Sequence, residues 1–340
     1  MKIFIIGGEK NKPSKLVEDI YIDGQVWKYN GFNNYRDFLE VVQEAVDNIQ
    51  PDLIIWLVEI PKNEESLCIK KPKGSVLIGA GTDIFIRHYD SKILTLANLY
   101  QARGNAAIMI YKKNKTIFDF ELIDSLGNTW VRTDNFKKVI KHILKLYQFT
   151  QKTKRRSLKK GFRLTLPKAP NSLTSLIHIN TQLIDQLGAQ FEAEYFNLIP
   201  TKCIKLFPSM RFNKSYFFSA RDIDKEYIST QDMIYIENSL YYDKRKYARD
   251  TPFHLEIYKE CPHINFLIHG HAYIKRAIST IKYYPCADLN GVKDVKFLMN
   301  GKGYMNLYKH GFLIYSRTIE ELKEIVEKVE LVPKPFEKKD

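Results

Sequence analysis

Four short runs in the first third of the chain are almost wholly apolar: Lys2–Gly8 (KIFIIGG), Asp52–Ile60 (DLIIWLVEI), Ser75–Gly79 (SVLIG) and Ala106–Tyr111 (AAIMIY). Each has strand length and none alternates polar with apolar residues, so each needs cover on both faces. Segments with apolar residues at helical spacing follow or separate them: Tyr35–Ile49, Ile93–Ala102 and Phe136–Phe149, the last with its basic residues on the outer face. Strands alternating with helices predict an α/β domain on a largely parallel, Rossmann-like open sheet. A dinucleotide fingerprint of the form G-x-G-x-x-G is absent. Gly7-Gly8 and Gly79-Ala80-Gly81 stand instead at strand ends, where open α/β sheets bind ligands.

The pattern changes after residue 150. Residues 151–169 (QKTKRRSLKKGFRLTLPKA) carry eight Lys or Arg and no acid, and removing those eight from a formal net charge of +14 leaves +6 for the rest. The charge excess therefore sits in one segment, read as a basic linker over 151–171 that ends in a turn-rich KAPNS. It lacks the interleaved aromatics of a nucleic-acid stacking platform, so a nucleic-acid partner is not expected. A chain of 340 residues exceeds what one hydrophobic core usually serves. The division expected is 1–150, the linker, 172–332 and a tail over 333–340. The second part opens with a helix near Ser172–Leu187. It continues with strands at Lys214–Ser219 and Met233–Glu237, a helix at Pro252–Lys259, strands at Ile264–His271 and Met305–Tyr315, and a helix over Thr318–Val329 opened by a Thr cap with Glu three residues on.

Four cysteines without a C-x-x-C pair fit a reducing compartment. No stretch approaches the ~18 apolar residues of a membrane span, and the first ten residues turn polar too soon for a secretory segment. A soluble, cytoplasmic protein without a membrane partner is the expectation.

Five of the eight histidines fall between positions 254 and 310. His269-Gly270-His271 ends the run INFLIHGH, and in a strand such i, i+2 residues project from one face, so both rings can reach one metal ion. His310 opens a further apolar run, again beside a glycine. Three neutral imidazoles with an open fourth position make a catalytic zinc site, whereas a His-x-His pair alone is as readily a core pair. Asp250 precedes Thr-Pro at a helix start and is either an ordinary N-cap or a carboxylate of the site.

These residues resemble a family. DTPFHLEIYKECPHINFLIHGHAYIKRA (250–277), YYPCADLNGVKDV (283–295), MNLYKHGFLIYS (305–316) and SARDIDKEYISTQDMIYIE (219–237) stand in the order of the motifs of the class II aldolase/adducin family, over about residues 172–330. The resemblance implies a three-layer α/β/α domain, commonly tetrameric, acting on a sugar or sugar phosphate with zinc or another divalent metal. Its metal ligands fall on His269, His271 and His310, its acid/base carboxylate on Asp250, and a helix histidine supporting the site on His254. The implied reaction is retro-aldol cleavage through a metal-stabilised enediolate. Pentulose-phosphate 4-epimerase and thio-sugar phosphate dehydratase chemistry use the same site, and an adducin-like interaction module is the non-catalytic alternative. The family's glycine-bearing phosphate turns are altered here. Candidates to replace them are Asn213, Ser215 and Ser219 as donors, with Arg221 and Arg249 as cations. The layout at 69–83 followed by 106–115 is faintly similar to the phosphopantothenate–cysteine ligase α/β fold; the ligand of that half stays open.

Overall fold

The computed structural model describes residues 1–58, 76–81, 105–112, 118–153, 156–190, 206–299 and 302–332, apart from positions 125, 127, 164, 166, 222 and 224–227. The expected helix Ile93–Ala102 and most of the 69–83 layout lie outside these residues. The chain forms two compact units, which divide after Gln151.

The first unit is a seven-stranded sheet in the order β2-β1-β3-β4-β5-β6-β7. Its strands are β1 (Lys2–Lys10), β2 (Gln25–Phe32), β3 (Leu53–Val58), β4 (Val76–Gly81), β5 (Ala106–Lys112), β6 (Phe118–Asp124) and β7 (Thr129–Thr133). The first five in that order run parallel, and the last two add antiparallel strands. Helix α1 (Lys15–Glu18) is a single turn, α2 is Tyr35–Ile49 and α3 is Phe136–Lys152. Apolar residues of both strand faces are used. Ile3, Ile5, Leu53 and Ile55 pack with Val139 and Ile143 of α3, while Phe4, Ile6, Ile54 and Trp56 pack with Phe38, Val42 and Val46 of α2. This is the open, doubly covered sheet expected. β2 has no counterpart among the apolar runs because it is an edge strand, buried only at Phe32.

The glycine pair of β1 needs a different explanation from the one its position suggested. β1 continues to Lys10, so Gly7 and Gly8 lie within it. Gly8 has φ +92°, and a Cβ there would stand 2.6 Å from the Gly31 amide nitrogen. Strand-on-strand approach accounts for that glycine without a ligand.

The second unit is an eight-stranded sheet in the order β15-β16-β13-β9-β10-β11-β12-β8. These are β8 (Lys159–Lys160), β9 (Phe207–Phe212), β10 (Ser215–Ser219), β11 (Met233–Glu237), β12 (Leu240–Tyr242), β13 (Phe266–Gly270), β15 (Tyr304–Leu307) and β16 (Gly311–Ser316); β14 (Tyr273–Ile274) pairs apart with β17 (Leu331–Val332). On one face lie α4 (Asn171–Gln190) and α7 (Ile319–Lys328), whose Leu176, Leu183, Leu322 and Val326 meet Phe266, Ile268, Phe312 and Ile314. On the other lie α5 (Thr251–Glu260) and α6 (Val292–Leu298), whose Phe253, Ile257 and Val295 meet Leu267, Leu313 and Tyr315. Alternate residues of the same strands serve opposite layers, as a three-layer α/β/α arrangement requires.

Two local readings change. Residues 305–315 are a hairpin, β15 and β16, and the turn between them places Lys309 at φ 52° and His310 at its end. The basic segment is partly built into the fold. Lys159 and Lys160 pair with Leu240 and Tyr241 as the outermost strand, Leu158 is buried, and Arg163 lies 2.9 Å from the Glu237 carboxylate. Lysines on a sheet edge discourage further strand pairing, which accounts for part of the local charge.

Candidate metal centre

The site lies at the end of β13, on the sheet face covered by α5. His269 sits beside Phe207 of β9 and Leu313 of β16, and its parity is that of Leu267, whose side chain packs under α5. His271 follows two residues on, just past the strand. Between them Gly270 faces the opposite layer, where a Cβ would run into Phe312 and Leu206. A Cβ on Gly311 would run into the Gly270 carbonyl. Both glycines let β13 and β16 close up, and that closure brings His310 to the His269-His271 pair. Ring centroids are 5.1 Å apart for His269 and His271, 4.7 Å for His269 and His310, and 5.5 Å for His271 and His310.

Asp250 completes the cluster. It holds the N-cap position of α5, yet its carboxylate makes no capping bond. Instead Oδ1 accepts the Ala287 N–H at 2.6 Å, and one ligand atom from each of Asp250, His269, His271 and His310 lies within 4.8 Å of the others. The Asp250 carboxylate therefore lies with the three imidazoles and leaves the helix N–H groups uncapped. Burial pushes the Asp250 carboxyl pKa up, but the imidazoles of His269, His310 and His254 and the Ala287 amide outweigh it, and the balance lies below the ordinary carboxylate value.

The donor set fits a divalent ion. His269 Nδ1 donates to the Phe312 carbonyl at 2.8 Å, which leaves the lone pair on Nε2. Backbone carbonyls commonly orient metal-binding imidazoles in this way. Three imidazoles and a carboxylate suit zinc and neighbouring divalent metals. His310 turns Nε2 toward Cys286 Sγ, 3.3 Å away.

The other candidates separate into two groups. His254, one helical turn beyond Asp250, is fully buried with its ring 6.2 Å from that of His269. Burial and the neighbouring His269 push its pKa down to about 3, against the pull of Asp250, so it is a neutral imidazole. Ser219 is buried at the end of β10 that pairs with Met233, level with the His269 end of the sheet. Arg221 and Arg249 are exposed, Arg249 directly before Asp250. Asn213 and Ser215 are not brought to the site. They belong to the β9–β10 turn beyond Phe212, whereas His269 pairs at Phe207. At ~3.3 Å per residue the intervening strand puts that turn on the order of 20 Å from the cluster. Ser215 Oγ is bonded to Tyr235 Oη at 2.7 Å.

Ser209 is the serine that reaches toward the centre, and the sequence reading passed it over. It is fully buried in β9, with Oγ 2.8 Å from His254 Nδ1 and 2.9 Å from Tyr258 Oη. A hydroxyl inside the apolar run LFPSMRF (206–212) was the available signal. Cys286 and Ala287 lie in a quoted segment, but nothing in their sequence shows that Ala287, at φ 66°, turns its amide to Asp250.

Residues 208–295 match the family model described as Class II Aldolase and Adducin N-terminal domain. No curated protein matches the chain. Among solved structures, an L-fuculose 1-phosphate aldolase is 14% identical, with 47% of this chain and 85% of that one covered at a TM-score of 0.35. A putative aldolase/epimerase/decarboxylase, YgbL from Klebsiella pneumoniae, is 10% identical over 47% and 86% at 0.36. A sugar-phosphate aldolase from Thermotoga maritima is 12% identical over 46% and 89% at 0.35. The match to the Class II Aldolase and Adducin N-terminal domain model runs from β9 into α6 of the second unit and spans Asp250, His269 and His271.

Proposed function

We propose that the second unit is a metal-dependent lyase of the class II aldolase type, cleaving a ketose or sugar phosphate by a retro-aldol reaction. The observation that carries this reading is the convergence of Asp250, His269, His271 and His310 on one buried point. His269, His271 and His310 would hold a divalent ion, zinc by preference. When bound, that ion supplies Lewis acidity, drawing charge from the oxygens of a hydroxyketone.

The chain's own residues supply the rest. Asp250, held ionised and aimed by the Ala287 amide, takes the proton from the substrate hydroxyl whose carbon–carbon bond breaks and returns it to the other fragment. His269 is fixed in one tautomer by the Phe312 carbonyl, so its donor atom is set before any ligand arrives. Ser219, Arg221 and Arg249 remain the groups to hold a substrate phosphate, without Asn213 and Ser215. A shorter carboxylate than glutamate at position 250 keeps pentulose-phosphate 4-epimerisation as the second reading on the same residues.

Elemental analysis and product trapping test the assignment. Wild type should carry one zinc per chain and release an aldehyde from a ketose 1-phosphate. His269→Ala and His271→Ala should each lose the metal. Asp250→Asn should keep it while turnover falls by about 10²–10⁴-fold, the range for removal of a general base. Zinc content indifferent to both histidine substitutions would refute the site; epimer without aldehyde would select the second reading.

A further inference from the structure

His254 is fully buried and, among the described residues, only half-satisfied. Its Nδ1 faces Ser209 Oγ at 2.8 Å, whereas its Nε2 has no hydrogen-bond partner among the described residues. A buried N–H left without an acceptor is costly, so a persistent one signals a position for a ligand atom. The ring stands edge-on to His269, 80° between planes, with Phe207 packed at 4.8 Å and Asp250 one helical turn away.

The proton on His254 is decided two residues away. The Tyr258 phenol carries one proton to donate. Its nearest acceptor is Ser209 Oγ, at 2.9 Å. Burial pushes the Tyr258 pKa far up, so the phenol keeps that proton. Ser209, accepting from Tyr258, turns its hydrogen to His254 Nδ1, and the ring proton must then sit on Nε2. Hydrogen bonds in such a series polarise one another in the same direction. All three side chains are fully buried, so solvent does not compete.

We propose that Tyr258 and Ser209 lock His254 as its Nε2–H tautomer and so present a buried, preformed donor to an oxygen at the Asp250–histidine cluster, either a bound water or a substrate hydroxyl. Ser209 and Tyr258 are positioning residues acting through His254. The aim of the donor rests on the metal-centre reading; the tautomer does not.

Long-range ¹H–¹⁵N correlation spectra of the full chain, with histidine ¹⁵N labelling, read the tautomer directly, with and without zinc. Wild-type His254 should show a protonated Nε2 and an unprotonated Nδ1 in both. Ser209→Ala should move it toward the Nδ1–H form or a mixture, and Ser209→Thr should restore the wild-type pattern. Tyr258→Phe, which removes one oxygen and keeps the ring volume, should move it in the same direction. Adding dihydroxyacetone to the zinc-loaded chain distinguishes the acceptors: a shifted Nε2–H resonance assigns a substrate oxygen and an unshifted one a water, both in keeping with the proposal. An Nδ1–H tautomer in wild type, or one unmoved by Ser209→Ala and Tyr258→Phe alike, overturns it. Failure to bind zinc with the tautomer intact would count against the metal centre alone.

Discussion

Asp250 shows how far a residue's sequence context underdetermines its work. Asp-Thr-Pro is a good helix start, and Asp250 does occupy the cap position, but its carboxylate serves the Ala287 amide and the histidine cluster. Asp243 makes the opposite case, an acid with a structural partner. Burial tends to raise its pKa, and the hydrogen bonds and charge of Arg245, 2.7 Å away, bring it below the ordinary value. A carboxyl with a depressed folded-state pKa adds stability above its unfolded value, near 4, and loses it as pH falls through the folded one. Asp243→Asn should therefore melt below wild type at pH 7, with the gap closing under about pH 4 in a calorimetric pH series. A constant gap would assign the loss to packing. At this scale the three metal-ligand candidates were legible because His-x-His states its own geometry in a strand. Ser209 was not, since one hydroxyl in an apolar run carries no sign of which layer it faces.

Elements were legible where local chemistry decides them. The Thr318 cap is realised as a reciprocal box, with Thr318 Oγ1 accepting the Glu321 N–H at 3.1 Å and the Glu321 carboxylate accepting the Thr318 N–H at 3.2 Å. Thr318→Ala should cost about 1 kcal/mol in a denaturant titration without touching metal content. Gly311→Ala tests the other kind of element, a strand pair defined by close approach. Its methyl meets the Gly270 carbonyl, so β13 and β16 must separate and carry His310 from the His269-His271 pair. Overpacking of this sort costs about 1–3 kcal/mol. Zinc affinity by competition with a chelator should fall with it, where Thr318→Ala leaves it unchanged. β2 and β8 escaped the sequence reading for one reason: edge strands are half solvated and lack an apolar signature.

At the scale of the whole molecule, two compact units share one chain but only the second carries the histidine cluster. A ligand that binds the native state alone stabilises it by about 2.7 kcal/mol at a hundredfold excess over Kd. Zinc should accordingly raise one thermal transition and leave another in place, and His271→Ala should abolish the rise; two equal shifts would mean that the units melt together. By itself the sequence determined the alternation of buried strands and amphipathic helices, the change of character near residue 150 and the spacing of the histidines, because periodicity and local caps act over a few residues. Tertiary structure alone decided the rest. It moved Asn213 and Ser215 to the far end of the sheet, made Lys159 and Lys160 an edge strand, and joined Ser209, Tyr258 and Ala287 to the centre. Those outcomes depend on which strands become neighbours and in what register. That is set by burying both faces of a sheet at once, across separations in sequence that no local pattern spans.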